Sequence, residues 1–144
     1  MKRSVALFVW ALTLGTGFPA VADVDAGGSV PLLCAVIDIK ECVRGQECLD
    51  VLPEEINSPQ FIRVDPAKGL LSSTQVGGES RTSEVEHMER LNGKLMLQGV
   101  EPSSSVDADG VGWTLSIDES DGRMVGTASG SSVGFVIFGA CTTM

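Results

Sequence analysis

The fold is decided by residues 112–140, which read GWTLSIDESDGRMVGTASGSSVGFVIFGA. At the start of this stretch apolar and polar residues alternate, which places Trp113, Leu115 and Ile117 on one face of a strand. A polar turn ending in Gly122 leads to a second strand, and a Gly/Ser turn leads to a strongly apolar third strand. These residues therefore predict three consecutive antiparallel strands.

Similar strand patterns precede this stretch. Apolar segments bounded by Gly, Pro, Asn or Asp occur at residues 31–39, 61–64, 70–74 and 94–100. A tight hairpin at Asn92-Gly93 is expected to join the last of these to the segment before it.

That preceding segment, residues 81–91, is ambiguous. The spacing of Val85, Met88 and Leu91 fits a helix, and the segment also fits a strand. We favour a strand because the neighbouring segments are strands. The sequence as a whole predicts an all-β fold: an antiparallel meander of about eight strands, as a small closed barrel or a sandwich stapled by disulfides.

The four cysteines predict two disulfides. Cys34, Cys42, Cys48 and Cys141 allow three pairings by sequence alone. We favour Cys42 with Cys48, because a tight turn between them would place the two residues opposite each other on antiparallel strands. Cys34 would then join Cys141 and tie the first strand to the last. A metal site is the competing interpretation, which the lack of a C-x-x-C motif disfavours.

Residues 1–22 predict a secretory signal peptide. Two basic residues precede the apolar run 5–14, and a small-x-small cleavage pattern ends at Ala22. The apolar run is shorter than the roughly 20 residues that span a bilayer, so no membrane span is expected after cleavage. We therefore predict a single β-rich domain over residues 23–144 that is periplasmic or secreted, where disulfides form.

The predicted exported domain is strongly acidic. Residues 23–144 keep all 19 acidic residues but eight of the ten basic ones, which gives a net charge of −11. Such a surface repels phosphate backbones, so nucleic acid is disfavoured as a partner. A cationic secreted protein is permitted as a partner, although the same charge also keeps an exported protein soluble.

No constellation in the sequence predicts catalysis. Glu84, Glu86 and Glu89 surround the single histidine, His87, but a solvated face explains these carboxylates in so acidic a chain. The acidic residues at 107–109 lack the further oxygen ligands and the flanking helices of a calcium loop. We predict no enzyme, and no catalytic, cofactor-binding or metal-binding residues.

The aromatic residues indicate a different kind of site. Only Phe61, Trp113, Phe135 and Phe138 follow the predicted signal peptide, and the chain has no tyrosine. The structural interpretation of Trp113 is a residue in the core of the barrel or sandwich. The functional interpretation is that Trp113 and Phe135 line a ligand cavity.

The spacing C-x7-C-x5-C, the segment Gly112-Trp113-x-Leu115-x-Ile117-Asp118 and the ending Gly134-Phe135-x-x-Phe138-Gly139-Ala140-Cys141 resemble short exported proteins of proteobacteria. The resemblance implies periplasmic residence and a β architecture, and it implies no reaction. In architecture alone, the predicted fold is also similar to small periplasmic β-barrels that inhibit lysozyme or secreted proteases.

The leading hypothesis is an exported, non-enzymatic, barrel-like protein that binds a small apolar ligand or a protein. The alternatives are an inhibitor of a secreted hydrolase and an accessory or structural protein of the cell envelope. A hydrophobic cavity would favour the ligand carrier. A filled interior with a protruding acidic loop at residues 101–110 would favour the inhibitor.

Overall fold

The computed structural model describes residues 30–74, 80–101 and 110–144. Within these ranges the chain forms one short 3₁₀ helix, Pro53–Ile56, and ten strands: β1 (Leu32–Val43), β2 (Leu49–Asp50), β3 (Phe61–Asp65), β4 (Leu70–Thr74), β5 (Ser80–Glu84), β6 (His87–Leu91), β7 (Lys94–Glu101), β8 (Val111–Asp118), β9 (Arg123–Ser129) and β10 (Val133–Thr143). The predicted signal peptide and the acidic residues at 107–109 lie outside the described ranges. No helix in the described part of the chain has the length and apolar character to cross a membrane.

The strands form one antiparallel sheet. Their order is β5-β4-β3-β1-β10-β9-β8-β7-β6, and the short β2 pairs with β1. The first and last strands are neighbours in the middle of this order. The predicted all-β antiparallel meander is therefore confirmed, as a single sheet curled into a half-barrel and stapled by disulfides.

The edges of the curled sheet approach each other at Val85 and Glu86. The Val85 amide donates to the Gly69 carbonyl (2.8 Å), next to β4, while the Glu86 amide donates to the Gln98 carbonyl on β7 (2.9 Å). Two consecutive residues thus bond to opposite halves of the sheet, one beside β4 and the other on β7. Residues 81–91 are extended, as favoured above, but they form two strands because the chain changes partner from β4 to β7.

The hydrophobic core lies on the inner face of the sheet. Alternate residues of the central strands are buried, with Leu95, Leu97, Leu115, Ile117 and Met124 each at most 4% exposed. Burying such side chains contributes about 1.5–3 kcal/mol each to folding, before entropy is counted. Leu115 and Ile117 share this face with Trp113, which packs against the core as a partly buried residue.

A β-bulge in β1 adjusts which residues face inward. The pairing between β1 and β10 shifts between Val36 and Asp38, and the unpaired Ile37 is 71% exposed. Before the bulge the buried residues of β1 are Leu32 and Cys34, and after it the buried residue is Ile39. The extra residue thus changes the inward positions from even to odd numbers, so both halves of this long strand contribute to the core.

The disulfides join the pairs that the turn argument favours. Cys34 lies opposite Cys141 in the β1–β10 ladder, and the two form a disulfide. Cys42 and Cys48 are joined across the turn between β1 and β2, where Gly45 has a φ of 80°. Two disulfides indicate a location outside the cytoplasm.

Candidate ligand-binding cavity

The inner face of the half-barrel borders an open cavity of about 620 Å³. The cavity lies at the end of the sheet where β7 ends and β5 and β8 begin, and residues 56–59 also line it. Small-molecule sites usually measure about 300–1,000 Å³. The curled sheet therefore has a packed half, which holds the core, and an open half of the size that a small ligand needs.

Trp113, Ala128 and Phe135 form one side of the cavity, which we call the aromatic wall. They lie side by side on three adjacent strands, because Trp113 pairs with Ala128 and Ala128 pairs with Phe135. All three line the cavity. Between the two aromatic residues Ala128 contributes only a methyl group, so a larger residue there would add volume to the cavity lining.

The next row of inward residues closes the cavity floor. Leu115, Gly126 and Ile137 are aligned across the same three strands. A Cβ on Gly126 would lie 2.7 Å from Leu115 Cδ2, so the leucine side chain occupies the space above the glycine. In this row a neighbouring side chain covers the central position, whereas the aromatic wall has the methyl group of Ala128 at its centre.

A second side of the cavity is more polar, and we call it the polar wall. Ile62, Ser73 and Arg81 are cross-strand neighbours on β3, β4 and β5. Arg81 Nη1 lies 3.5 Å from Glu101 Oε1 at the end of β7, and both side chains are about half exposed. An exposed pair of this kind stabilises the fold by about 1 kcal/mol at most. Its main effect on the cavity is to place one positive and one negative group in the lining.

Gly99 allows β5 and β7 to approach each other beside the aromatic wall. A Cβ at this position would lie 2.5 Å from the Glu84 carbonyl oxygen and 2.6 Å from Trp113 Cζ2. The Trp113 ring therefore rests on the bare backbone of Gly99. Its Nε1 is buried and has no hydrogen-bond partner among the described residues.

The structure places the two residues proposed from sequence, Trp113 and Phe135, in the same cavity lining. Sequence reasoning missed Arg81 and Glu101, because it assigned the first to an ambiguous segment and the second to a polar loop. It also missed Ala128, although the small residue on an inward position was a usable signal. The register across the strands brings Trp113, Ala128 and Phe135 together. Arg81 and Glu101 meet because the curled sheet brings β5 beside β7.

The histidine and the glutamates that were considered for acid–base chemistry lie outside the cavity lining. His87 is on the edge strand β6, with a 61% exposed side chain, and its Nε2 lies 3.9 Å from Glu89 Oε2. Neither residue lines the cavity, and Glu84 and Glu86 do not line it either. Among the described residues, no group of three or more His, Cys, Asp or Glu side chains is arranged to hold a metal ion.

Comparisons of the chain with protein-family models, with curated proteins and with solved structures found no match. The cavity and the sheet that forms it are therefore the basis for the functional proposal.

Proposed function

We propose that this protein is a periplasmic or secreted, non-enzymatic carrier of a small apolar ligand, which binds between the aromatic wall and the polar wall. The observation that carries the proposal is the open cavity of about 620 Å³ beside Trp113 and Phe135. Its lining combines apolar side chains with serines, threonines and the Arg81–Glu101 pair, and small-molecule sites join apolar walls to placed polar groups.

The cavity also favours this proposal over the inhibitor of a secreted hydrolase. That alternative expects a filled interior and a protruding acidic loop at residues 101–110. The interior has an opening instead, and residues 102–109 lie outside the described ranges. An inhibitor remains the hypothesis to test next if no ligand binds.

The first experiment is native mass spectrometry of protein expressed from the full sequence and purified from the exported fraction. The intact mass reports cleavage after Ala22 and the hydrogens lost to two disulfides. We expect a reproducible additional mass that survives gentle ionisation and disappears on unfolding. The released compound can then be identified by its own mass.

A binding titration locates the ligand. We expect N-phenyl-1-naphthylamine, an uncharged apolar fluorophore, to bind at one molecule per chain. Ala128→Phe should place a ring inside the cavity and weaken binding by about tenfold or more, because the ring occupies volume that the ligand needs. Ala140→Phe is the matched control, because Ala140 is exposed on the outer face.

Folding of each variant is checked by its thermal transition and by the presence of both disulfides. If Ala128→Phe fails to fold, Phe135→Leu is the replacement, because it reduces the aromatic wall without adding volume. Absence of both a native adduct and fluorophore binding would overturn the carrier proposal. Binding that is equal in wild type and Ala128→Phe would place the ligand elsewhere.

A further inference from the structure

The charges that line the cavity balance each other. Among the described lining residues only Arg81 and Glu101 are charged, and they form an ion pair 3.5 Å apart. The pair bridges β5 and β7, at the place where the edges of the sheet face each other without a ladder of hydrogen bonds. The described part of the cavity therefore carries both a positive and a negative group but no net charge.

The balanced charge of the cavity limits which head groups the ligand can carry. An anionic head group entering the cavity would compete with Glu101 for Arg81, and a cationic head group would compete with Arg81 for Glu101. Arg81 and Glu101 are about half exposed, so each would regain part of its hydration if the pair broke. The larger cost falls on the charged head group, which leaves water for a cavity whose one cation and one anion already pair with each other. An uncharged head group with a donor and an acceptor can bond to both residues while their ion pair stays intact.

The other polar groups of the polar wall are also uncharged. Ser73 lies directly opposite Arg81 on the neighbouring strand, and Ser83 lies two residues further along β5. Both serines line the cavity. Each hydroxyl can donate and accept a hydrogen bond, so these groups suit an alcohol, ester or amide without selecting a sign of charge.

We propose that the ligand is an uncharged amphiphile, such as a long-chain alcohol or a monoacylglycerol. Its apolar body lies on Trp113 and Phe135, and its hydroxyl or carbonyl head meets Ser73 and the Arg81–Glu101 pair. This inference rests on the proposed function, since it specifies the chemistry of the ligand in the same cavity.

The test compares three probes with the same chain and different heads. Decanol, decanoate and decylamine are titrated at neutral pH against the bound fluorophore N-phenyl-1-naphthylamine. We expect decanol to displace the fluorophore at a concentration about tenfold lower than either ion, which corresponds to about 1.4 kcal/mol. Decanoate and decylamine are charged under these conditions.

Substitutions that remove either the Glu101 charge or the Arg81 charge should change the preference for the head group in opposite directions. Glu101→Gln leaves Arg81 without its partner, so decanoate should gain affinity. Arg81→Gln leaves Glu101 without its partner, so decylamine should gain affinity. Glu47→Gln and Arg123→Gln are matched controls, because they remove charges of the same signs outside the cavity lining.

The outcomes separate the two proposals. Equal displacement by all three probes, with no change in Glu101→Gln or Arg81→Gln, overturns the uncharged amphiphile and leaves the carrier intact. A wild-type preference for decanoate or decylamine also overturns it. Failure of the fluorophore and of every probe to bind overturns the carrier itself, and the inference with it.

Discussion

Cys34 and Cys141 face each other across β1 and β10, although 107 positions separate them in the sequence. Both residues are buried, at 0% and 8% exposure, and both belong to the hydrophobic core cluster. Their disulfide therefore joins the first and last long strands from inside the fold.

Loss of this disulfide should cost much more stability than loss of the other one. In the chain-entropy model, the long loop closed by Cys34–Cys141 is worth about 4–5 kcal/mol and the short Cys42–Cys48 loop about 2 kcal/mol. Equilibrium urea unfolding of the Cys34→Ala/Cys141→Ala and Cys42→Ala/Cys48→Ala double variants measures the difference. Equal losses would contradict the loop-length argument.

Gly99→Ala should destabilise the contact between β5 and β7. The new methyl group would meet the Glu84 carbonyl oxygen, which is backbone, and the Trp113 ring. Overpacking of this kind costs about 1–3 kcal/mol. Gly112→Ala is the matched control, because its new Cβ would have nothing nearer than Ser129 Oγ at 3.7 Å. Urea unfolding of both variants should show a loss only for Gly99→Ala.

The two halves of the inner face should differ in their sensitivity to truncation. Ile117 is fully buried in the packed half, so Ile117→Ala should cost about 3 kcal/mol. Phe135 lines the open cavity, where truncation enlarges a space that already exists. Phe135→Ala should therefore cost less than Ile117→Ala by about 1 kcal/mol or more. The reverse order in urea unfolding would mean that the cavity is a tightly packed region.

Acid should weaken the fold through Asp118. The Lys94 ammonium, which donates to its carboxylate over 2.7 Å, and then Ser120 hold the pKa of Asp118 well below its usual range. The unfolded chain therefore binds this proton more readily than the folded protein does. The stabilisation is complete above the unfolded pKa of about 4 and is lost as the pH falls toward the folded pKa.

Asp118→Asn should flatten the dependence of the melting temperature on pH below about 5. Lys94→Met should flatten it as well, because it removes the main cause of the lowered pKa. Asp65, whose pKa is also lowered, chiefly by its hydrogen bond from Lys68, should keep part of the acid sensitivity in both variants. An unchanged slope in Asp118→Asn would contradict this assignment.

Local sequence signals predicted the features that depend on neighbouring residues. Asn92 and Gly93 have φ values of 52° and 74°, and they join β6 to β7 as the hairpin signal indicates. The alternation around Leu115 and Ile117 gave the inward face of β8 correctly. The turn conformation and the inward face are both set by residues that are close to one another in the sequence.

Features that depend on the curvature of the sheet were not predictable in this way. Residues 84–87 contain no Gly or Pro to mark the change of partner at Val85 and Glu86. Arg81 and Glu101 meet because β5 passes beside β7, which no pattern in either strand encodes. The sequence therefore contains no sign of the charged residues in the lining, whereas the aromatic residues Trp113 and Phe135 could be named from it.

The Cys34–Cys141 bond also has a mechanical consequence. It lies close to both ends of the described chain, where the Met144 amide donates to the Pro31 carbonyl over 3.0 Å. A pull on Pro31 and Met144 would pass through this covalent bond and leave the strands between the two cysteines without tension. In force spectroscopy with handles at Pro31 and Met144, we expect the increase in extension that marks unfolding of the sheet to appear only after a reductant is added.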